Sequence, residues 1–109
     1  MSQNYFWQVS PLEEQQAQSG KAYLEFLRVS AMSAGLYVLP AGGSDPQSPH
    51  QEDEMYYVVR GKAQMKVGAE SQPVGAGSVI FVEKRVEHRF YNVTEELVVL
   101  VFFAPAETT

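Results

Sequence analysis

The chain of 109 residues holds only two histidines, and both stand where a strand face or a strand end can aim them at a common point. His50 and Glu54 are four residues apart in the stretch HQEDEMYYVV, whose second half, Met55 to Val59, is aromatic and β-branched in the manner of a strand. Even spacing along a strand places side chains on one face. His88 lies in EHRFYN, just after a second apolar run, Val79 to Val82. Two imidazoles and a carboxylate that converge make a two-histidine, one-carboxylate donor set, which leaves coordination positions open. Cysteine is absent, so any ion is held by nitrogen and oxygen, and iron, manganese, nickel or zinc in the divalent state suits such donors. The plainer alternative makes His50 a hydrogen-bonded core or surface histidine and His88 a turn residue.

Other chemistries leave no trace. There is no glycine-rich phosphate loop, Ser-His-Asp order, paired-acid hydrolase pattern or nucleotide fingerprint. A formal charge of -5 without a Lys/Arg cluster argues against nucleic acid or an anionic membrane as partner. The first nine residues lack the basic segment of a secretion signal, and the longest apolar run, Leu97 to Ala104, is far short of the roughly 20 residues of a membrane helix. A cytoplasmic protein of one domain is expected.

The elements that must position the three donors are short strands. One helix signal appears: Ser10-Pro11-Leu12-Glu13 reads as an N-cap, a proline in the first helical position and a capping-box glutamate, with Ser19-Gly20 as the stop. It predicts one or two turns within an N-terminal arm, residues 1–20. Strands are expected over Ala22 to Val29, Gly35 to Leu39, Met55 to Val59, Lys62 to Val67, Ser78 to Val82, His88 to Asn92 and Leu97 to Phe103. Gly61 is expected to make a tight turn and Gly68 to Gly77 a turn-rich connection. Eight or so short strands over residues 21–109 indicate an all-β jelly-roll barrel. Leu97 to Phe103 is apolar without a break, which implies burial on both faces and predicts a second copy, a homodimer, against the outer sheet, helped by Tyr5-Phe6-Trp7.

Two spaced patterns in this stretch resemble the cupins, small β-barrel (double-stranded β-helix) proteins. Their first motif falls on Gly42, Ser48, His50, Glu54 and Gly61, and their second on Gly77, Glu83, Arg85, His88 and Asn92. Every spacing is kept. Ser48 stands where the family usually has a metal-binding histidine, Glu83 where it has a turn proline and Arg85 where it has a turn glycine. The resemblance implies His50, Glu54 and His88 as metal ligands. Gln47 carries an amide oxygen that replaces the lost imidazole if the loop bulges, whereas strict strand parity turns it away. Ser48 hydrogen-bonds at best a metal-bound water. Glu52 shares parity with His50 and either joins the site or is a solvated rim residue beside Asp53.

Tyr56, Val58, Met65 and Phe90 are the candidates to line a cavity behind the ion, with plain barrel core as their alternative. Glu83 and Arg85 are expected either to pair across the turn, or Arg85 to meet an anionic substrate. Asn92 is expected to hold backbone groups near His88. The resemblance implies a metal-binding protein for a small organic molecule, with dioxygenase, isomerase or decarboxylase chemistry. A non-catalytic small-molecule binding module, with weak metal or none, is the other reading, and Ser48 favours it.

Overall fold

The computed structural model describes residues 4–46 and 49–108. A helix, α1 (Val9–Ser19), precedes six strands: β1 (Tyr23–Val29), β2 (Met32–Leu39), β3 (Asp53–Val67), β4 (Glu70–Gly75), β5 (Val79–Val82) and β6 (His88–Ala104). All pairings are antiparallel, in the order β1-β2-β6-β3-β4, with β5 added to β3. This is the all-β jelly roll with one short helix that the patterning predicts.

The strands differ from expectation in three main places. Gly61 makes no tight turn; β3 runs straight through it, so two expected strands are one of 15 residues. Gly61 has φ of 106°, and a Cβ there would sit 2.2 Å from the Glu96 carbonyl oxygen, so the backbone of β6 occupies the space of a side chain. A strand glycine of this kind marks an irregular, bent ladder, and the β3–β6 register shifts between Val58 and Gln64. The segments around Tyr91 and Val99 likewise fuse into one 17-residue β6, bent at Asn92, whose φ is 49°. Asn92 is exposed and supplies this left-handed turn of the chain rather than a bond beside His88. Third, the connection between Gly68 and Gly77 contains β4, hairpinned onto the second half of β3.

The β3–β6 ladder begins at Asp53↔Ala104 and ends at Val67↔His88. Laid flat, 15 residues would cover about 50 Å. The two ends instead approach each other, so the ribbon folds back over itself and closes the barrel. Tyr56, Val58, Met65 and Phe90 fill its interior, with Leu97, Val99 and Val101 from β6.

The outer face of β2 and β6 carries its own cover. Leu12 of α1 is buried against Leu36 and Val98, and Trp7 packs on Phe26 with ring centroids 5.2 Å apart. The unbroken apolar run of β6 is therefore covered in part by the arm of the same chain, without any second copy. α1 is longer than expected, 11 residues, and starts at Val9 with Gln8 as its cap. Ser10 does not cap it, because a proline lacking an N–H is harmless anywhere in the first turn and so does not fix the starting residue. Gly20 ends it with φ of 72°. Glu13 forms a two-bond ion pair with Arg60, which ties the helix to β3. Among the described residues, no helix is long and apolar enough to cross a membrane.

Candidate metal centre

Parity puts Glu54, Tyr56 and Val58 on the inner face of β3 and Met55 and Tyr57 on the outer. Glu54 pairs with Phe103 on one side and Val82 on the other, which places it at one mouth of the barrel. His88 opens β6, and the turn before it is stitched to the segment of the first histidine. The Arg85 amide donates to the His50 carbonyl (2.7 Å) and the Lys84 amide to Asp53 Oδ1 (2.9 Å). Arg85 itself adopts φ of 67°, so the turn keeps the geometry that a glycine would take more easily. Its guanidinium bonds Gln51 (3.3 Å) rather than Glu83. The loop leading to His50 is pinned by buried Asp45, which accepts from the Tyr37 hydroxyl and from the Phe90 amide.

One ligand atom each from His50, Glu54 and His88 lies within 4.8 Å of the others. His88 Nε2 is 3.1 Å and His50 Nε2 3.8 Å from Glu54 Oε1. His88 and Glu54 are buried, and His50 is partly open to solvent.

His88 Nδ1 lies 2.9 Å from the Val86 carbonyl, an acceptor only, so that nitrogen carries a proton. In a neutral ring Nε2 is then a lone pair aimed at a carboxylate oxygen, and both atoms are buried without a hydrogen-bond partner. Two facing acceptors need a shared proton or a bound cation between them. Burial works against a charged His88, but Glu54 and the Val86 carbonyl outweigh it and hold its pKa above the ordinary value. The donor set thus fits a divalent ion, which would take the place of that proton.

Behind the donors lies a cavity of about 140 Å³, walled by Tyr23, Tyr37, Tyr56, Val101, Phe103 and Glu107 beside His50 and Glu54. Of the expected lining only Tyr56 takes part. Val58 is covered farther along β3, and Met65 and Phe90 oppose each other beyond the bend, in the core. Tyr23 reaches the cavity because Gly35 lies beneath its ring; a Cβ there would be 2.2 Å from Tyr23 Cζ. The hydroxyls of Tyr23 and Tyr56 are buried, that of Tyr56 beside Glu54, and Tyr23 Oη makes no hydrogen bond among the described residues. Burial first, then nearby carboxylates, push both phenols upward, so both remain proton donors.

Glu52 is not a solvated rim residue. It is buried and accepts from the amide and hydroxyl of Thr108 (3.2 and 2.7 Å), because the C-terminal segment folds over it, and it stands outside the convergent trio. Gln47 and Ser48 lie outside the described residues. The reading of the sequence missed Tyr23, Tyr37, Phe103, Asp45 and Glu107. Strand parity on β1 and β6 marks Tyr23 and Phe103 as inward candidates, but nothing periodic marks Glu107. A wider trough of about 1090 Å³, along the loop around Gly43, the second half of β3 and the first half of β6, gathers no comparable donor set among the described residues.

Comparison with known proteins agrees with the geometry. A family model described as "Cupin domain" matches residues 35–104. An uncharacterized protein of Streptomyces coelicolor is 46% identical over 102 residues, 94% of this chain and 97% of that protein. The crystal structure of an RmlC-like cupin from Shewanella frigidimarina superposes with a TM-score of 0.69 at 20% identity, over 77% of this chain and 75% of the other. A DMSP lyase from Ruegeria pomeroyi superposes at 0.68 with 18% identity, over 76% of this chain but 47% of its own, and at that identity shares the fold alone. Barrel, motif spacing and a match across most of the sheet lead to one assignment: the chain belongs to the cupin domain family.

Proposed function

We propose that the protein binds a divalent first-row transition ion through His50, Glu54 and His88, and receives a small organic molecule in the adjoining cavity. The observation that carries this reading is the buried, proton-demanding contact of His88 Nε2 with Glu54 Oε1 at 3.1 Å. When bound, such an ion supplies Lewis-acid polarisation of a substrate oxygen or, as iron, a site for oxygen chemistry. The chain's own residues do the rest. Tyr23 offers an O–H donor to an oxygen acceptor, Tyr56 a second one beside Glu54, and Val101 and Phe103 line the apolar side. At about 140 Å³ the cavity is smaller than the roughly 300–1,000 Å³ usual for drug-sized ligands, which suits a small molecule. Dioxygenase-like, isomerase or decarboxylase turnover suits this arrangement. Non-catalytic binding of the same ligand is the second reading, favoured by Ser48 in place of a fourth protein ligand.

Elemental analysis of protein purified without chelator or affinity metal tests the reading. Wild type should carry close to one ion per chain, and His50→Ala and His88→Ala should lose it while keeping a β-type circular dichroism spectrum. Metal content unchanged in both variants would refute it.

A homodimer belongs to the same proposal. Met55 pairs with Phe81 and Tyr57 with Val79 on the outer face of β3 and β5, beyond the cover of α1, and all four are exposed. A second copy placed there would bury an apolar patch. Light scattering at micromolar concentration should give twice the chain mass, and Phe81→Glu should return a monomer. A monomeric wild type would end this part.

A further inference from the structure

We propose that Glu107 is the positioning residue of His50: its carboxylate holds the proton on Nδ1 and so keeps Nε2 as a lone pair facing Glu54. Neither cupin motif contains Glu107, which comes from the segment after β6. That segment is a strap across the mouth of the barrel, and its backbone is fixed on both sides of the residue. The Glu107 amide donates to the hydroxyl of fully buried Ser33 (2.9 Å), and its carbonyl accepts from Arg28 (2.7 Å), which is itself paired with Glu25. One residue on, Thr108 makes its two bonds to buried Glu52. Glu52 thus anchors the strap, although its parity with His50 points toward the metal site.

The strap leaves the Glu107 side chain in the cavity wall, with Oε2 3.5 Å from His50 Nδ1. On the other side of the ring, Nε2 is 3.8 Å from Glu54 Oε1. The imidazole therefore stands between two carboxylates, and a neutral ring has one proton to offer. Glu54 draws that proton toward Nε2, which would remove a donor from the trio. Glu107 opposes it from the outer side, as the Val86 carbonyl does for His88. At 3.5 Å the contact is long for a hydrogen bond, so its hold is the electrostatic pull of a carboxylate on an N–H dipole. Glu107 is not among the three residues whose donor atoms converge, which makes it a support and not a ligand.

The tautomer of His50 can be read without any metal, so the inference rests on the proposed function only for its effect on affinity. In metal-free, 15N-histidine-labelled protein at pH 8, long-range 1H–15N correlation should show His50 protonated at Nδ1. Glu107→Ala should shift it toward the Nε2–H form, and Glu107→Gln, whose amide oxygen accepts the same proton, should restore Nδ1–H. Cobalt(II) affinity by chelator competition should fall about 10- to 100-fold in Glu107→Ala and be largely kept in Glu107→Gln. An Nε2–H tautomer in wild type, or one unchanged in Glu107→Ala, overturns the inference. So does a glutamine variant as weak as the alanine one with an altered cobalt spectrum, which would make Glu107 a ligand through its charge. If wild type binds no cobalt while the tautomer still follows Glu107, the metal reading falls and the positioning role stands.

Discussion

Glu54→Gln isolates the contact on which the site depends, because the amide keeps the shape of the side chain and removes its charge. In metal-free protein, His88 has a folded pKa above its unfolded value of about 6.5. The stability this contributes is fully present below the unfolded value. Between the two pKa values the native state holds a proton that the unfolded chain has released, so stability falls as pH rises; above the folded pKa the contribution is gone. For one proton the slope reaches at most about 1.4 kcal/mol per pH unit. Solvent screening is slight, since the side chains of His88 and Glu54 are 1% and 2% exposed. In Glu54→Gln burial remains and its chief opponent is removed, so the pKa of His88 drops and the slope flattens or reverses. Urea melts from pH 5.5 to 8.5 in the presence of a chelator measure it, and the difference between the two proteins cancels other titrations. Parallel stability curves would refute the argument, because they would mean that His88 does not titrate against Glu54.

Three further outcomes are expected. Gly35→Ala drives a methyl into the Tyr23 ring, so it should cost about 1–3 kcal/mol in a denaturant melt and weaken cavity ligands before it weakens metal. Arg85→Gly relieves a left-handed arginine but frees the unfolded chain, for a net gain of about 0.5–1 kcal/mol at unchanged metal content. Ser48→His should raise metal affinity by about an order of magnitude, measured by chelator competition, because it adds an imidazole at the spacing where the family usually has one.

The donors were legible because parity and spacing are geometric statements: positions 50, 54, 56 and 58 differ by even numbers, and three of them do share the inner face of β3. The second motif followed from its own spacing. Less legible was what a glycine does when its neighbours allow two answers. Gly61 between two apolar runs reads as a hairpin turn, yet it permits the close approach of Glu96, which belongs to a strand about 35 residues away. The same gap hid the depth of the pocket: Val58 has the right parity and the wrong distance from the mouth, and Met65, at odd spacing from Glu54, faces inward only because the register shifts around Gly61. Glu107 and Glu52 were illegible in their roles, because the strap is irregular backbone held by single side-chain bonds that leave no period in the sequence.

The folding back of the β3–β6 ribbon gives the site a second consequence, in the internal motions of the barrel. Glu54 belongs to the first turns of the ladder and His88 to its last pair, 34 residues apart in sequence and 3.1 Å apart in space. Opening of the barrel at this mouth must separate them. Whatever positive charge they share, proton or metal, therefore acts as a latch on breathing as well as a centre for chemistry. Amide exchange along the two ends of the ribbon should slow when the latch is closed, while the bend around Gly61 and Asn92, which lies outside the donor trio, keeps its own rate.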